Sequence, residues 1–301
     1  MAFLAADWGT TRLRAWVVGD DGTAGPRHDF PLGVSRLAPG EARARFESEV
    51  RPALGARDLP ALLCGMIGSN LGWVSAPYVP CPTSLHVLAG NLTPAAANAR
   101  IVPGLSCEGL AGPDVMRGEE TQLLGWLAAD PAHARGRRWV CHPGTHSKWA
   151  ILEDGIVRRF VTAMTGELYA VLKTHSILRT QDAADDEDAF DAGVAAAGDG
   201  GALLARLFSV RTRVLMGEMP QGASASYLSG LLIGAEIAAF APLLGAGDGV
   251  FLVGELTLCA WRRRALQRRG IHAEVYDGEA AVLAGLTAIW EKSQRASSWR
   301  F

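Results

Sequence analysis

The sequence predicts an α/β fold in two related domains that face each other across a cleft. Strands alternating with helices through the second half are the pattern of an α/β sheet. A strand, a Gly-Thr corner, a Trp-bearing strand and an Asp-Gly turn then occur twice. The first copy runs from Phe3 through Asp7-Trp8-Gly9-Thr10-Thr11 and the strand Arg12 to Val18 to the turn Gly19–Gly22. The second runs from Arg138 through Pro143-Gly144-Thr145-His146-Ser147-Lys148 and Trp149 to Leu152 to the turn Glu153–Gly155. A length of 301 residues suits two domains.

Composition narrows the function. Apolar residues make up 49% and charged residues 20%, enough for sizeable cores. A net charge of −2 gives no support for nucleic-acid binding. Cys64, Cys81, Cys107, Cys141 and Cys259 are odd in number and form no C-x-x-C pair. They argue against a disulfide framework or structural zinc and for a reduced, cytoplasmic setting. No signal peptide is legible. The apolar stretch Tyr227 to Leu244 carries Glu236 and several glycines, and reads as a buried helix rather than a membrane span.

In chain order, Gly9 lets a ligand approach the first corner, the hydroxyls and amides of Thr10 and Thr11 suit phosphate oxygens, and Asp7 suits magnesium, directly or through water. Taken alone, a hairpin whose Asp and Thr residues only satisfy the turn competes evenly with that reading. Pro39-Gly40-Glu41 opens a helix with Phe46, Val50 and Leu54 on one face. Ala61 to Cys64 is a buried strand, and Gly65 to Asn70 a loop at its carboxyl end, where ligands of α/β sheets bind. Ser69 and Asn70 there suit sugar hydroxyls. Residues 71–110 give no clear pattern. Gly118 to Ala129 is a helix ended by Asp130-Pro131. Helices are expected over 166–177, 224–244, 256–269 and 278–292, and strands over 250–253 and 271–276. Gly230 and Gly234, four apart, allow close helix packing. The acidic run 182–188 reads as a solvated loop. There is no P-loop, and Gly245 to Gly249 precedes its strand, which makes it a turn rather than a dinucleotide finger. His142 and His146 flank Pro143-Gly144, which forbids a helical metal pair.

The doubled corner resembles the actin-like ATPase fold of actin, hexokinase and glycerol kinase, with two ribonuclease H-like domains. More closely, the chain resembles the 2-dehydro-3-deoxygalactonokinase family. The matching stretches are Asp7-Trp8-Gly9, Leu13 to Trp16, Gly33 to Leu37, Gly65 to Asn70, Val115 to Leu123 with its Met-Arg-Gly-Glu-Glu-Thr-Gln run, Pro143 to His146, Met164 to Leu168 and Leu228 to Glu236. The stretch Val253-Gly254-Glu255-Leu256-Thr257 departs from the family's Gly-Thr-Ser pattern on the adenosine side, which leaves Gly254 as the nucleotide contact there.

The resemblance implies transfer of the γ-phosphoryl group of ATP, with magnesium (Mg2+), to the 6-hydroxyl of 2-dehydro-3-deoxy-D-galactonate. In glycerol-kinase-like enzymes a Gly-Asp-Gln stretch supplies the catalytic base. The similar run here puts Glu119 in that place, with Glu120 and Glu167 in reserve, although an acid in a first helical turn also simply complements the helix dipole. Gly9, Thr10, Thr11, Gly144, Thr145, His146 and Gly254 would hold the nucleotide, and Asp7 the metal. The substrate carboxylate needs a cation: Arg36 first, or Arg14 or Arg117. The expected division is 1–117 for substrate and phosphate and 118–301 for nucleotide, with the helix 278–292 able to pack back across it. Partners would be a sugar acid and a nucleotide, without nucleic acid or membrane, and with room for a homodimer. Competing functions are another sugar kinase, a phosphohydrolase of the same fold, and an actin-like nucleotide-binding protein without enzyme activity.

Overall fold

A computed structural model describes every residue except 180–184, 200, 246 and 296–301. Part of the acidic run 182–188 and Ala246 of the turn 245–249 lie outside the described residues. In chain order the strands are β1 (Phe3–Trp8), β2 (Leu13–Val18), β3 (His28–Phe30), β4 (Ala61–Cys64), β5 (Tyr78–Pro80), β6 (Thr93–Ala96), β7 (Ala99–Ile101), β8 (Gly104–Glu108), β9 (Pro113–Met116), β10 (Arg137–His142), β11 (Ser147–Glu153), β12 (Ile156–Ala163), β13 (Val250–Gly254) and β14 (Ala273–Asp277). The helices are α1 (Glu41–Arg45), α2 (Arg51–Ala53), α3 (Leu85–Gly90), α4 (Glu119–Ala129), α5 (Thr165–His175), α6 (Glu187–Ala197), α7 (Leu203–Leu207), α8 (Ser209–Leu215), α9 (Ser224–Phe240), α10 (Leu256–Gln267) and α11 (Gly278–Arg295).

Two compact units emerge. One comprises Met1–Arg137, Ala150–Val161 and the stretch from Asp277; the other comprises Arg138–Trp149 and Thr162–Tyr276. Helices α4 and α11, both C-terminal to the division expected at 117/118, lie in the first unit and pack on each other.

The first unit holds a six-stranded sheet ordered β3-β2-β1-β4-β7-β6. β1 runs antiparallel to β2 and parallel to β4. Alternation along β1 sends Leu4, Ala6 and Trp8 into a core with Phe46 and Val50, from the expected helix that starts at Glu41. On the opposite face Phe3 stacks on Trp290 of α11 at 4.7 Å. The stretch 71–110 holds α3, β6, β7 and the first two strands of a small sheet ordered β5-β8-β9. Close helix contact fixes α4 on α11. A Cβ at Gly125 would stand 1.8 Å from the Ala281 carbonyl oxygen, and one at Gly285 2.0 Å from that of Thr121.

The second unit takes β10, β13 and β14 from the five-stranded sheet β12-β11-β10-β13-β14, and β10 and β13 run parallel. Helix α9 is buried along nearly its whole length, as its apolar sequence predicts. It is long and apolar enough to cross a membrane, yet most of it is covered by protein. A Cβ at Gly230 would meet the Phe190 carbonyl oxygen of α6 at 2.0 Å, the close packing that its spacing from Gly234 implies. Arg264 ties α10 to α6 through both carboxylate oxygens of Asp191, at 2.7 and 2.8 Å.

Gly285→Ala is expected to lower stability by about 1–3 kcal/mol, because the new methyl meets backbone that cannot turn aside. Gly90→Ala, at a helix end with no atom within 4 Å of the added methyl, should be neutral or stabilising by up to about 1 kcal/mol. Thermal unfolding of both variants checks this; equal midpoints would contradict the packing described.

Candidate active site

In the first unit the corner Gly9–Arg12 joins β1 to β2. The Gly9 amide is spent inside it, donating to the Arg12 carbonyl at 3.0 Å. Thr10 and Thr11 are exposed, and their hydroxyls make no hydrogen bond among the described residues. The turn 33–36 braces the corner from behind. Val34 and Ser35 donate their amides to the carbonyls of Gly9 and Thr10 at 3.1 and 3.0 Å, and the Ser35 hydroxyl donates to Thr10 at 2.7 Å. That turn carries Arg36, which is exposed and forms no ion pair among the described residues.

Strand register then assembles a charged cluster. Asp7 lies opposite Arg14 on β2 and Cys64 on β4. The carboxylate of Asp7 is paired with the Arg14 guanidinium, so the metal candidate and one substrate candidate neutralise each other. Beside Cys64 the chain turns at Gly65, whose φ of 88° favours glycine. Gly118, at φ 108°, comes against it: a Cβ there would stand 3.3 Å from the Gly65 Cα. Helix α4 begins at that contact. Its first two residues differ. Glu119 is half-buried and accepts the Arg117 amide at 3.0 Å. Glu120 is fully buried and accepts the Gly118 amide at 2.6 Å and the Thr121 hydroxyl at 3.0 Å. Burial, with the neighbouring Glu119 charge second, pushes the Glu120 carboxyl up to about 8. Burial, Asp7 and Glu120 push the Cys64 thiol up as well.

Arg117 lies 4.4 Å over the Tyr78 ring and donates to the Ala76 carbonyl at 2.8 Å, next to Gly68. The Ser69 hydroxyl accepts the Leu71 amide at 3.3 Å, and Asn70 is exposed.

In the second unit Pro143–His146 turns β10 into β11. Gly254, at the end of neighbouring β13, lies against Pro143: a Cβ there would stand 3.2 Å from the Pro143 Cδ. The first turn of α5 closes on the same corner. A Cβ at Gly166 would stand 2.4 Å from the Gly144 carbonyl oxygen, and the Glu167 amide donates to Thr145 at 2.9 Å. The Glu167 carboxylate pairs with His146, which uses both side chains locally. Burial pushes His142 down to about 4, so it is neutral at physiological pH. Lys148 is buried and donates to the Thr162 hydroxyl at 2.7 Å.

A cavity of about 260 Å³ adjoins this corner. Gly144, Thr165 and Gly166 border it, as do Tyr169, Lys173, Ser229, Trp261 and Arg262. Apart from Gly144, none of these was assigned a role from the sequence, although Thr165, Gly166 and Ser229 fall in the family-like stretches; they lie on α5, α9 and α10, far apart in sequence. The legible trace is the serines Ser224, Ser226 and Ser229 gathered at the start of a mostly apolar helix. The mixture of aromatic rings, hydroxyls and a helix N-terminus suits a nucleotide.

Magnesium is bound through one or two carboxylates plus substrate phosphates rather than by an all-protein cage. Asp7 offers one such carboxylate beside the first corner, where the exposed Thr10 and Thr11 can meet phosphate.

The sequence profile of the 2-keto-3-deoxy-galactonokinase family, which is the 2-dehydro-3-deoxygalactonokinase family under another chemical name, matches residues 7–289. A 2-dehydro-3-deoxygalactonokinase from Escherichia coli (strain K12) is 35% identical over 289 residues, covering 95% of this chain and 97% of that protein. A probable 2-dehydro-3-deoxygalactonokinase from Rhizobium meliloti (strain 1021) is 38% identical over 297 residues, 95% of each chain. The crystal structure of a protein assigned as a 2-dehydro-3-deoxygalactonokinase from Sinorhizobium meliloti superposes with a TM-score of 0.86 at 37% identity, covering 98% of this chain and 99% of that one. The activator of 2-hydroxyisocaproyl-CoA dehydratase from Clostridium difficile, solved with ADPNP, shares the fold alone, at 12% identity, a TM-score of 0.52 and coverage of 100% of this chain and 99% of that one. The expected α/β fold of actin-like ATPases and sugar kinases is therefore met.

The raised Glu120 carboxyl makes stability depend on pH. The folded chain keeps this proton up to about 8, whereas the unfolded chain loses it near 4.5. The folded state therefore binds more protons between those values, and stability falls as pH rises through that window, by about 1.4 kcal/mol per unit at most. Urea unfolding from pH 5 to pH 9 should show wild type losing stability relative to Glu120→Gln up to about pH 8 and running level above it. A constant difference across the range would contradict the buried, protonated state.

Proposed function

The chain belongs to the 2-dehydro-3-deoxygalactonokinase family, phosphotransferases with an alcohol acceptor, and we propose that it transfers the γ-phosphoryl group of ATP to the 6-hydroxyl of 2-dehydro-3-deoxy-D-galactonate. The observation that carries the nucleotide half is the second unit's cavity, which begins at Gly144 and the first turn of α5. Phosphoryl transfer asks a protein for positioning and charge neutralisation more than for covalent chemistry. Gly144, Thr145 and the α5 amides hold phosphate oxygens there, with Gly254 packed behind the corner and His146 kept in place by Glu167. Thr10 and Thr11 offer free hydroxyls to phosphate in the first unit.

Magnesium, held through Asp7, supplies charge neutralisation on the phosphates. Arg14 keeps the Asp7 carboxylate oriented. Arg36 takes the substrate carboxylate, because Arg14 is engaged with Asp7 and Arg117 with Ala76 and Tyr78. Ser69 and Asn70 meet the sugar hydroxyls, with Arg117 fixing their loop. Glu119 accepts the proton of the attacking hydroxyl. It is the solvent-reachable acid of the α4 turn, whereas both oxygens of Glu120 are engaged and its proton is retained at neutral pH. The reading carries with it a cytoplasmic location, consistent with five free cysteines.

ADP release by the purified protein, followed across 2-keto-3-deoxy sugar acids, simple hexoses and no acceptor, tests this directly. Turnover should be highest with 2-dehydro-3-deoxy-D-galactonate and negligible without acceptor. Arg36→Met should raise KM for the sugar acid about tenfold or more and leave KM for ATP unchanged, as expected for one lost charge-assisted contact. Preference for a neutral hexose would move the chain to another sugar kinase, and phosphate release without acceptor to a phosphohydrolase.

A further inference from the structure

The second unit contains one buried charge system that the functions above do not use. Glu236 of α9 and Arg262 of α10 form an ion pair at 3.2 Å, with side chains only 1% and 3% exposed. The Trp149 indole donates to the same carboxylate at 2.9 Å. Arg262 Nε reaches Glu236 Oε1 at 3.4 Å, and Nη2 reaches Glu236 Oε2 and, at 2.7 Å, the Ser147 hydroxyl. None of these bonds uses Nη1, and the guanidinium also interacts with the Cys141 thiol. Arg262 also borders the cavity that begins at Gly144. A guanidinium almost wholly removed from water thus lines a ligand-sized cavity.

We propose that Arg262 is a phosphate-contacting residue of the nucleotide site, donating through Nη1 to a phosphate oxygen nearest the nucleoside. The inference rests on reading this cavity as the nucleotide pocket. Three features place the contact at the phosphate rather than the base. Nη2 is tethered to Ser147, the residue directly after the Pro143–His146 corner. Gly144 of that corner borders the same cavity. So do Thr165 and Gly166 in the first turn of the 11-residue helix α5, whose amides favour an anion. Glu236 already balances the Arg262 charge, so the contact is directional. It orients phosphate through one fixed donor, and the geometry of the guanidinium fork matters more than its charge.

The test compares ADP, AMP and adenosine binding to the full-length protein by titration calorimetry. Arg262→Lys keeps a cation for Glu236 and removes the fork. It should weaken ADP and AMP at least tenfold while the adenosine Kd stays within about twofold. If Arg262→Lys does not fold, the double variant Arg262→Gln, Glu236→Gln, which leaves no buried charge unpaired, is expected to give the same pattern. Unchanged ADP affinity would overturn the assignment. Equal losses for ADP and adenosine would also overturn it, since they would mark Arg262 as a support of the cavity wall. Wild-type protein that binds none of the three would overturn the nucleotide reading of the cavity, and this inference with it. That failure is seen before any variant is made.

Discussion

A carboxyl group without access to water governs the candidate site of the first unit. Glu120 has its oxygens taken by the Gly118 amide and the Thr121 hydroxyl, and burial keeps its proton on at neutral pH. A charged group at that depth would cost several kcal/mol; a protonated one satisfies two donors instead. The arrangement brings Gly118 against Gly65, and so starts α4 beside the end of β4. The rest follows from that point. Glu119 is left on the reachable side of the turn. Asp7, one strand away from Cys64, shares the same face of the sheet. Gly125 and Gly285 then let α4 lie so close to α11 that the helix cannot shift along its axis.

The second unit solves a parallel problem with an ion pair. Glu236 gathers Trp149, Arg262 and, through Arg262, Ser147, and so joins strand β11 to helices α9 and α10 around one cavity. Removing either partner would leave a buried charge unmatched, at about 3–5 kcal/mol. In both units an acid at depth anchors a candidate site, through the Gly118 amide in the first and through the Trp149 and Arg262 side chains in the second.

Much of this was legible in the chain because the signals are local. The two Gly-Thr corners, the helix from Glu41 with Phe46 and Val50 inward, the small-residue spacing of Gly230 and Gly234, and the buried character of α9 are each written within one element. What escaped was long-range. Nothing near Asp7 announces that Arg14 will neutralise it, because the pair is made by the antiparallel register of β1 and β2. Adjacent Glu119 and Glu120 look alike in sequence; only burial against Cys64 and Thr121 separates them. The cavity draws on α5, α9 and α10, and its polar residues stand alone in their own segments. The stretch 71–110 lacked a pattern because its strands are three to five residues long, too short for alternation to register.

The proposed function makes Glu119 the base, and the most direct measurement is single-turnover phosphoryl transfer by Glu119→Gln, with ADP affinity determined on the same preparation. The expected result is a transfer rate lower by roughly 100-fold or more, the size of a lost general base, with ADP binding unchanged. Transfer at the wild-type rate would contradict the assignment and the division of labour between the two adjacent acids.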